Sequence, residues 1–398
     1  MPDVPALLIF LATMTLVLVR PANLPTAVPA VGGALLAVLL GRAGAADIQL
    51  VVGLTWNAVL TLVGLLLLSA GLQANGFFHW AALHVVAWTK GNGRALMVCL
   101  VGLTALVAAV LANDGAVLVM TPLAWALGDA LDLSARARFA CLFAVGFVSD
   151  VASTPLIVSN LTNILFADGF GLGFAQFAAA MALPTLTGLL GAVGLLAAIF
   201  WRDLPERFDA HSLVPAQAIR DRRVFTANWI ALALLALACL GGSALQVPVS
   251  LAVLPLGGAL LLFSLQRKLL TTRQVLAESP WGVLFFAVGL FVVVLALFRG
   301  GWLAPVQSAL ISSARAQNTL AIGLLIGGLS ALLNNLPAGL LTILGLKTAA
   351  LPAELLPRAI YAAVLGTNIG CKLTPFGSLS TLLWLGLLRE RGLTVGWG

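Results

Sequence analysis

Three ionisable side chains are embedded in apolar runs long enough to cross a bilayer: Asp114, Asp150 and Lys372. A charge at that depth costs ~2.5–3.5 kcal/mol on insertion scales, so such residues are functional candidates by default. A carboxylate withdrawn from water can load and release a proton within one transport cycle. Asp114 and Asp150 are therefore the candidate proton carriers, with Lys372 as their counter-charge. Asp150 and Lys372 occupy related places in two interrupted segments, and an ion pair between them would offset the burial of each. The plainer alternative has Lys372 holding its own segment against carboxylates or backbone carbonyls. Asp129, Asp168 and Glu278 fall near segment ends and read as interfacial.

A second set of residues is neutral. Asn113, Asn160, Asn163, Asn334, Asn335, Thr367, Asn368, Thr374, Ser378 and Ser380 gather at four interruptions of the apolar pattern. Carboxamides and hydroxyls suit a small polyhydroxyl solute or a desolvated cation, and the free ends of half-helices add partial charges of both signs. Helix capping and inter-helix hydrogen bonding draw on the same residue types. Cys371 adjoins the last interruption. Thiolates favour soft ions, which makes it a candidate ligand for trivalent arsenic or antimony, although one thiol is no chelate. His79 and His84 are five apart and share no helix face, and His211 stands in a polar loop, so no histidine reads as a metal ligand. There is no nucleotide-binding loop, zinc motif or catalytic triad. The expectation is a protein that is not an enzyme and carries no cofactor.

Apolar residues make up 61% of the chain and charged residues only 9%, against roughly 25% charged in a soluble domain. Mean hydropathy is +1.09. Apolar runs of about 18 residues or more recur along the chain. The first lacks both a basic flank and a small-residue cleavage site, so it reads as a retained helix rather than a signal peptide. The net charge of +7 does not point to nucleic acid, because basic residues in membrane proteins collect in cytoplasmic loops and set topology. Cys99, Cys141, Cys239 and Cys371 lie apart in apolar segments and do not form a disulfide framework.

Spans are expected at 4–20, 24–41, 50–74, 174–201, 226–244, 247–266 and 280–299. Residues 94–131 and 318–350 read as re-entrant hairpins, breaking at Asn113-Asp114-Gly115 and Asn334-Asn335-Leu336-Pro337. Residues 137–166 and 357–389 read as broken helices. Irregular backbone at membrane depth survives only inside protein or beside a cavity. Paired broken helices in two halves are the best sequence pointer to a transporter site.

The pairing is visible in the spacing. Asn113 and Asn334 are 221 residues apart; Thr154 and Thr374, like Pro155 and Pro375, are 220 apart. Residues 1–201 and 226–398 therefore read as two repeats joined by a charged cytoplasmic linker, 202–225. Trp80 and Trp302 mark short segments ahead of each hairpin that read as interfacial helices. Five crossings per half would invert the second repeat. With the N-terminus on the periplasmic side, 15 of the 21 Lys and Arg residues fall inside and 5 outside, with Lys372 in the membrane. The first repeat closes with the span 174–201. No counterpart follows 357–389, so the final helix of the second repeat is expected to be missing.

LANDGAVLVMTPL, SDVASTPLIVSNLTNILFADGF, SPWGVLFFAVGLFVVV, LSALLNNLPAGLL and GTNIGCKLTPFGSLSTLLWL resemble motifs of the arsenite/antimonite efflux permeases of the ArsB type, in the ion transporter superfamily. The resemblance runs in order from about residue 4 to the end. It implies efflux of trivalent arsenic or antimony across the bacterial inner membrane, driven by proton entry. An optional cytoplasmic arsenite-stimulated ATPase partner is also implied. Within its motifs fall Asn113, Asp114, Asn334, Asn335, Thr367, Asn368 and Lys372. The family often has proline where this chain has Cys371.

The expected fold class is thus an all-α polytopic membrane protein built from two inverted-topology repeats. The expected function is proton-coupled export of arsenite or antimonite by alternating access. Other readings remain: a proton- or sodium-coupled organic-anion carrier, a sodium/proton exchanger, or a membrane anchor without transport of its own.

Overall fold

The computed structural model describes residues 2–21, 24–209, 214–245, 247–278 and 281–395. Among them every regular element is helical. Leu, Ala and Val supply the apolar helix formers, and polar residues at the entrances satisfy the first free amides. Asn92 accepts from the Ala95 amide at 3.0 Å, Ser134 from Ala137 at 3.2 Å and Asn318 from Ala321 at 3.0 Å.

The helices are α1 (Val4–Val19), α2 (Ala27–Leu39), α3 (Ala45–Ala74), α4 (Phe77–Trp88), α5 (Gly93–Ala130), α6 (Ala135–Ala152), α7 (Leu161–Phe170), α8 (Phe174–Phe200), α9 (Arg222–Ala244), α10 (Ser250–Gln266), α11 (Thr272–Glu278), α12 (Gly282–Arg299), α13 (Ala304–Arg315), α14 (Thr319–Leu333), α15 (Asn335–Thr348), α16 (Leu356–Gly370) and α17 (Leu379–Glu390). Five are long and apolar enough to cross a membrane: α3, α5, α8, α9 over Arg222–Gly242, and α12. The expected spans match helices to within a few residues. The largest shifts are at α3, which starts five residues early, and at α9, which takes in the last residues of the expected linker.

The breaks are sharper than the sequence suggests. In α5 the helix is interrupted only at Leu111 and Ala112, and Ala112 has φ 64° and ψ 156°. Between α14 and α15 stands Asn334, at φ 84° and ψ 150°. Both lie in a backbone region that only glycine occupies freely, at a cost of about 1–3 kcal/mol each. By backbone, Ala112 is thus the counterpart of Asn334, one residue before the Asn113 that spacing had paired with it. Between α6 and α7 the chain passes through a 3-10 turn, Ile157–Ser159, to an extended Asn160. Between α16 and α17 a 3-10 turn, Cys371–Leu373, leads to an extended Thr374.

The chain divides into two compact units. One comprises Met1–Val59, Leu161–Leu172 and Pro280–Leu379; the other comprises Leu60–Asn160, Gly173–Ser279 and Ser380–Gly398. In the first, α14 and α16 approach closely through small residues, as membrane helices do. A Cβ on Gly370 would lie 2.2 Å from the Gly327 Cα. Ion pairs Arg42–Asp3 (3.1 Å) and Arg299–Asp47 (2.6 Å) tie segments of this unit together, and the Trp302 indole donates to the Asp3 carbonyl at 2.8 Å. Trp302 stands in the turn before α13, not in a helix.

In the second unit the described part of the linker is anchored. Phe208 donates its amide to the Gly91 carbonyl, and Gly93 donates to Pro205. The Arg267 guanidinium bonds the Asp221 carboxylate at 2.8 and 2.6 Å and holds that carboxyl below the usual carboxylate range. His211 lies outside the described residues.

Candidate functional site

Each unit contains one buried polar cluster, and the two share a construction. In the second unit the centre is Asp150, fully buried near the end of α6. Asn113, the residue after the strained Ala112, donates its Nδ2 to Asp150 Oδ1 at 2.5 Å. Ser380 Oγ donates to the same oxygen at 2.6 Å, and Thr381 Oγ1 to Oδ2 at 3.4 Å. The Asn113 Oδ1 turns back to accept the Asp114 amide at 3.0 Å. The carboxylate is held entirely by neutral donors in these contacts. Asp114 and Asn160 are buried in the same unit. Asn160 Nδ2 donates to Ser153 Oγ at 3.2 Å, and Ser153 Oγ to the Asp150 carbonyl at 2.8 Å.

The position of α17 against α6 explains how Ser380 and Thr381 reach Asp150. Gly146, one turn before Asp150, leaves room for the Trp384 indole; a Cβ there would meet the ring at 2.4 Å. The indole Nε1 donates to the Leu142 carbonyl at 3.1 Å. Trp384 is one turn after Ser380, so this contact fixes the rotation of α17 that aims both hydroxyls at the carboxylate.

In the first unit the centre is Asn368, fully buried near the end of α16. Its Nδ2 donates to Asn163 Oδ1 at 2.8 Å, and Thr162 Oγ1 donates to its Oδ1 at 3.4 Å. Asn334 Nδ2 donates to the Phe376 carbonyl at 2.9 Å, and the Asn335 amide to Gly377 O at 2.7 Å. Thr374 Oγ1 donates to the Ala331 carbonyl at 2.6 Å, and Thr367 Oγ1 to Val364 O at 2.9 Å. The Cys371 thiol is fully buried and donates to the Asn368 carbonyl at 3.2 Å. Asn335 Oδ1 is buried without a hydrogen-bond partner, a costly arrangement that a bound donor would relieve. Ser378 is fully buried in this unit, and Lys372 is partly exposed there.

In each cluster a centre from the front arm of one broken helix meets two consecutive residues opening the rear arm of the other; Asn113 bonds the Asp150 centre, whereas Asn334 and Asn335 bond the Phe376 and Gly377 carbonyls. In its contacts Asp150 resembles Asn368, whereas the sequence reading set Asp150 and Lys372 in related places. The sequence reading did not single out Thr162, Thr381 or Asn57. Asn57, buried in α3, donates its Nδ2 to both carboxylate oxygens of Asp168 at 3.0 and 2.8 Å. A lone asparagine in an apolar helix was the available signal. Among the described residues no group of three or more His, Cys, Asp or Glu side chains is placed to hold a metal ion.

Long apolar helices interrupted by strained breaks, with buried polar clusters at those breaks, place the chain among polytopic membrane proteins. Comparison with known proteins narrows this. Residues 5–398 match the model of the family described as arsenical pump membrane protein. An arsenical pump membrane protein of Escherichia coli K12 is 37% identical over 396 residues, covering 98% of this chain and 92% of the relative. One from Yersinia enterocolitica is 38% identical with the same coverage. An uncharacterized transporter of Mycobacterium tuberculosis is 28% identical over 353 residues, covering 86% and 81%. The chain belongs to the arsenical pump membrane protein family.

Proposed function

We propose that this protein exports trivalent arsenic and antimony, as their neutral trihydroxides, across the bacterial inner membrane in exchange for protons. The observation that carries the reading is the contrast between the two centres. Asp150 is a carboxylate held by an amide and two hydroxyls, and it is the group able to carry a proton. Asn368 stands at the matching place among carboxamides and hydroxyls, with the orphaned Asn335 Oδ1 in the same unit. A neutral polyhydroxyl solute supplies both donors and acceptors and needs no counter-charge. Asn163, Asn334, Asn335, Thr367, Asn368, Thr374 and Ser378 are the proposed solute groups. Asn113 and Asn160 support the carboxylate, and Asp114 is the second proton candidate. Lys372 is proposed as the partner that balances the Asp150 charge through the cycle.

Exchange of a neutral solute for protons moves charge, so both the pH gradient and the membrane potential would drive it. The likeness of the clusters supports two inverted repeats and an alternating-access cycle in which the breaks move, and the distribution of Lys and Arg supports a periplasmic N-terminus. Curated relatives are named arsenical pumps, which supports the choice of solute. A cytoplasmic ATPase partner is an optional addition to the same reading.

The test is radiolabelled arsenite uptake into everted membrane vesicles, with a proton gradient imposed and then collapsed. Accumulation that disappears with the gradient is expected. Uptake that ignores the gradient, or citrate or sodium flux in place of arsenite flux, would overturn it.

A further inference from the structure

A cavity of about 790 Å³ lies within the second unit, among α4, α5, α8 and α9. That is within the roughly 300–1,000 Å³ of small-molecule pockets. Its walls are aliphatic and aromatic apart from His84, Cys99 and Cys239. Trp88, Leu106, Trp229 and Leu240 line it and are exposed. In a membrane protein such a mouth opens onto lipid tails. An apolar void open to hydrocarbon fills, because an empty one forfeits dispersion contacts along its whole lining.

One end differs from the rest. Trp80 packs against His84 at 4.4 Å, Phe225 at 5.1 Å and Trp229 at 6.0 Å. Such aromatic belts belong at the membrane–water boundary. One helical turn beyond the lining stand two buried carboxamides: Asn75, three residues after Leu72, and Asn228, four before Leu232. Asn228 is fully buried, and neither its Nδ2 nor its Oδ1 has a hydrogen-bond partner; the Nδ2 of Asn75 has none either. Buried polar atoms in native proteins are almost always satisfied. Arg222 and Arg223 open α9 at this end and are exposed. By helical spacing Arg222 is one turn before Phe225 and two before Trp229.

We infer that the cavity binds one anionic phospholipid, an acyl chain along the apolar lining and the headgroup region at Asn75, Asn228, Arg222 and Arg223. Bulk lipid explains the apolar filling. It does not explain three unpartnered carboxamide atoms one turn beyond the lining, at the end where α9 opens with a pair of arginines. The site is separate from the two polar clusters, although Leu111 and Leu156, next to the breaks, form part of its wall.

The experiment reads lipid, not arsenic, so its outcome is independent of the transport reading. The purified full chain is equilibrated with vesicles of phosphatidylglycerol and phosphatidylcholine, extracted in mild detergent, and weighed by native mass spectrometry. One retained phosphatidylglycerol per chain is expected, favoured by about ten-fold or more, in line with two arginines near an anionic headgroup. Ala236→Trp, which fills the cavity, removes the retained lipid; Val110→Phe is the second filling variant, and thermal unfolding identifies either that fails to fold. Asn228→Leu combined with Arg222→Gln keeps a lipid but loses the headgroup preference. No retained phospholipid, equal retention of the two lipids by the natural chain, or undiminished retention in a folded filling variant would overturn the inference.

Discussion

Replacing Asp150 with asparagine separates the proton from the scaffold. Asp150 Oδ1 accepts from Asn113 at 2.5 Å and from Ser380 at 2.6 Å, and Oδ2 accepts from Thr381 at 3.4 Å. An asparagine keeps its carbonyl toward Asn113 and Ser380 and turns its amino group to Thr381, whose hydroxyl can rotate to accept. No donor is orphaned. Hydrogen bonds to a charged group contribute about 1.5–3 kcal/mol and neutral ones about 0.5–1.5, so two strong bonds lose roughly 2–3 kcal/mol together. Removing a buried charge returns desolvation energy of several kcal/mol per ion and offsets that loss. The net change in stability is therefore small, within about 2 kcal/mol. Alanine at the same site strands three buried donors at about 1–3 kcal/mol each and is the destabilising control. The assay pairs membrane abundance and thermal unfolding with arsenite uptake into everted vesicles. Asp150→Asn is expected to match the natural chain in abundance and to lose gradient-driven accumulation. Gradient-driven uptake at the natural level in a folded Asp150→Asn protein would remove this carboxylate from the coupling mechanism.

Four further outcomes follow from the same geometry. Lys372→Ala is expected to abolish arsenite resistance with abundance intact, since the side chain is partly exposed; natural resistance would sink the proposed charge pair. Asn368→Leu removes the donor to Asn163 Oδ1 and is expected to raise the arsenite KM while leaving the pH dependence of uptake unchanged. Gly146→Ala drives a Cβ against the Trp384 ring, and overpacking of this kind costs about 1–3 kcal/mol; uptake should fall although no polar group has changed, and Trp384→Leu in the same chain should restore part of it. Cys371→Ser keeps a donor for the Asn368 carbonyl and is expected to transport arsenite within about two-fold of the natural chain, a change of under ~0.5 kcal/mol; complete loss in a folded protein would point to sulfur ligation.

The expected spans were legible because each is a long apolar run, whereas the short polar α11 was not. The neighbourhoods of the four interruptions were legible for the converse reason: Asn113-Asp114, Ser149-Asp150, Asn334-Asn335 and Thr367-Asn368 are too polar to sit in lipid unless protein encloses them, although only Asn334 stands in a break itself and the other pairs lie in helix within a few residues of one. Partnerships were not legible. Spacing within one half cannot reveal that Ser380 and Thr381, opening the rear arm of the second broken helix, close on Asp150 of the first. Nor can it reveal that Thr162 and Asn163 close on Asn368. The contacts to Asp150 depend on the rotation of α17, which Gly146 and Trp384 set through packing.

The exchange of arms has a mechanical consequence. Each centre is held by an arm from the other half of the chain, and Asp150 also by Asn113 beside a break. A shift of either broken helix along its axis must therefore disturb both clusters at once, through Ser380 and Thr381 in one and Thr162 and Asn163 in the other. On the proposed reading, the groups around the proton carrier Asp150 and those around the solute near Asn368 would then respond to a single displacement, which is the coupling an exchanger requires. Double substitution tests it: Thr162→Val and Thr381→Val should combine non-additively in gradient-driven uptake, by about 0.5–3 kcal/mol for coupled sites. Simple additivity would mean that the two clusters move independently and that coupling lies elsewhere in the chain.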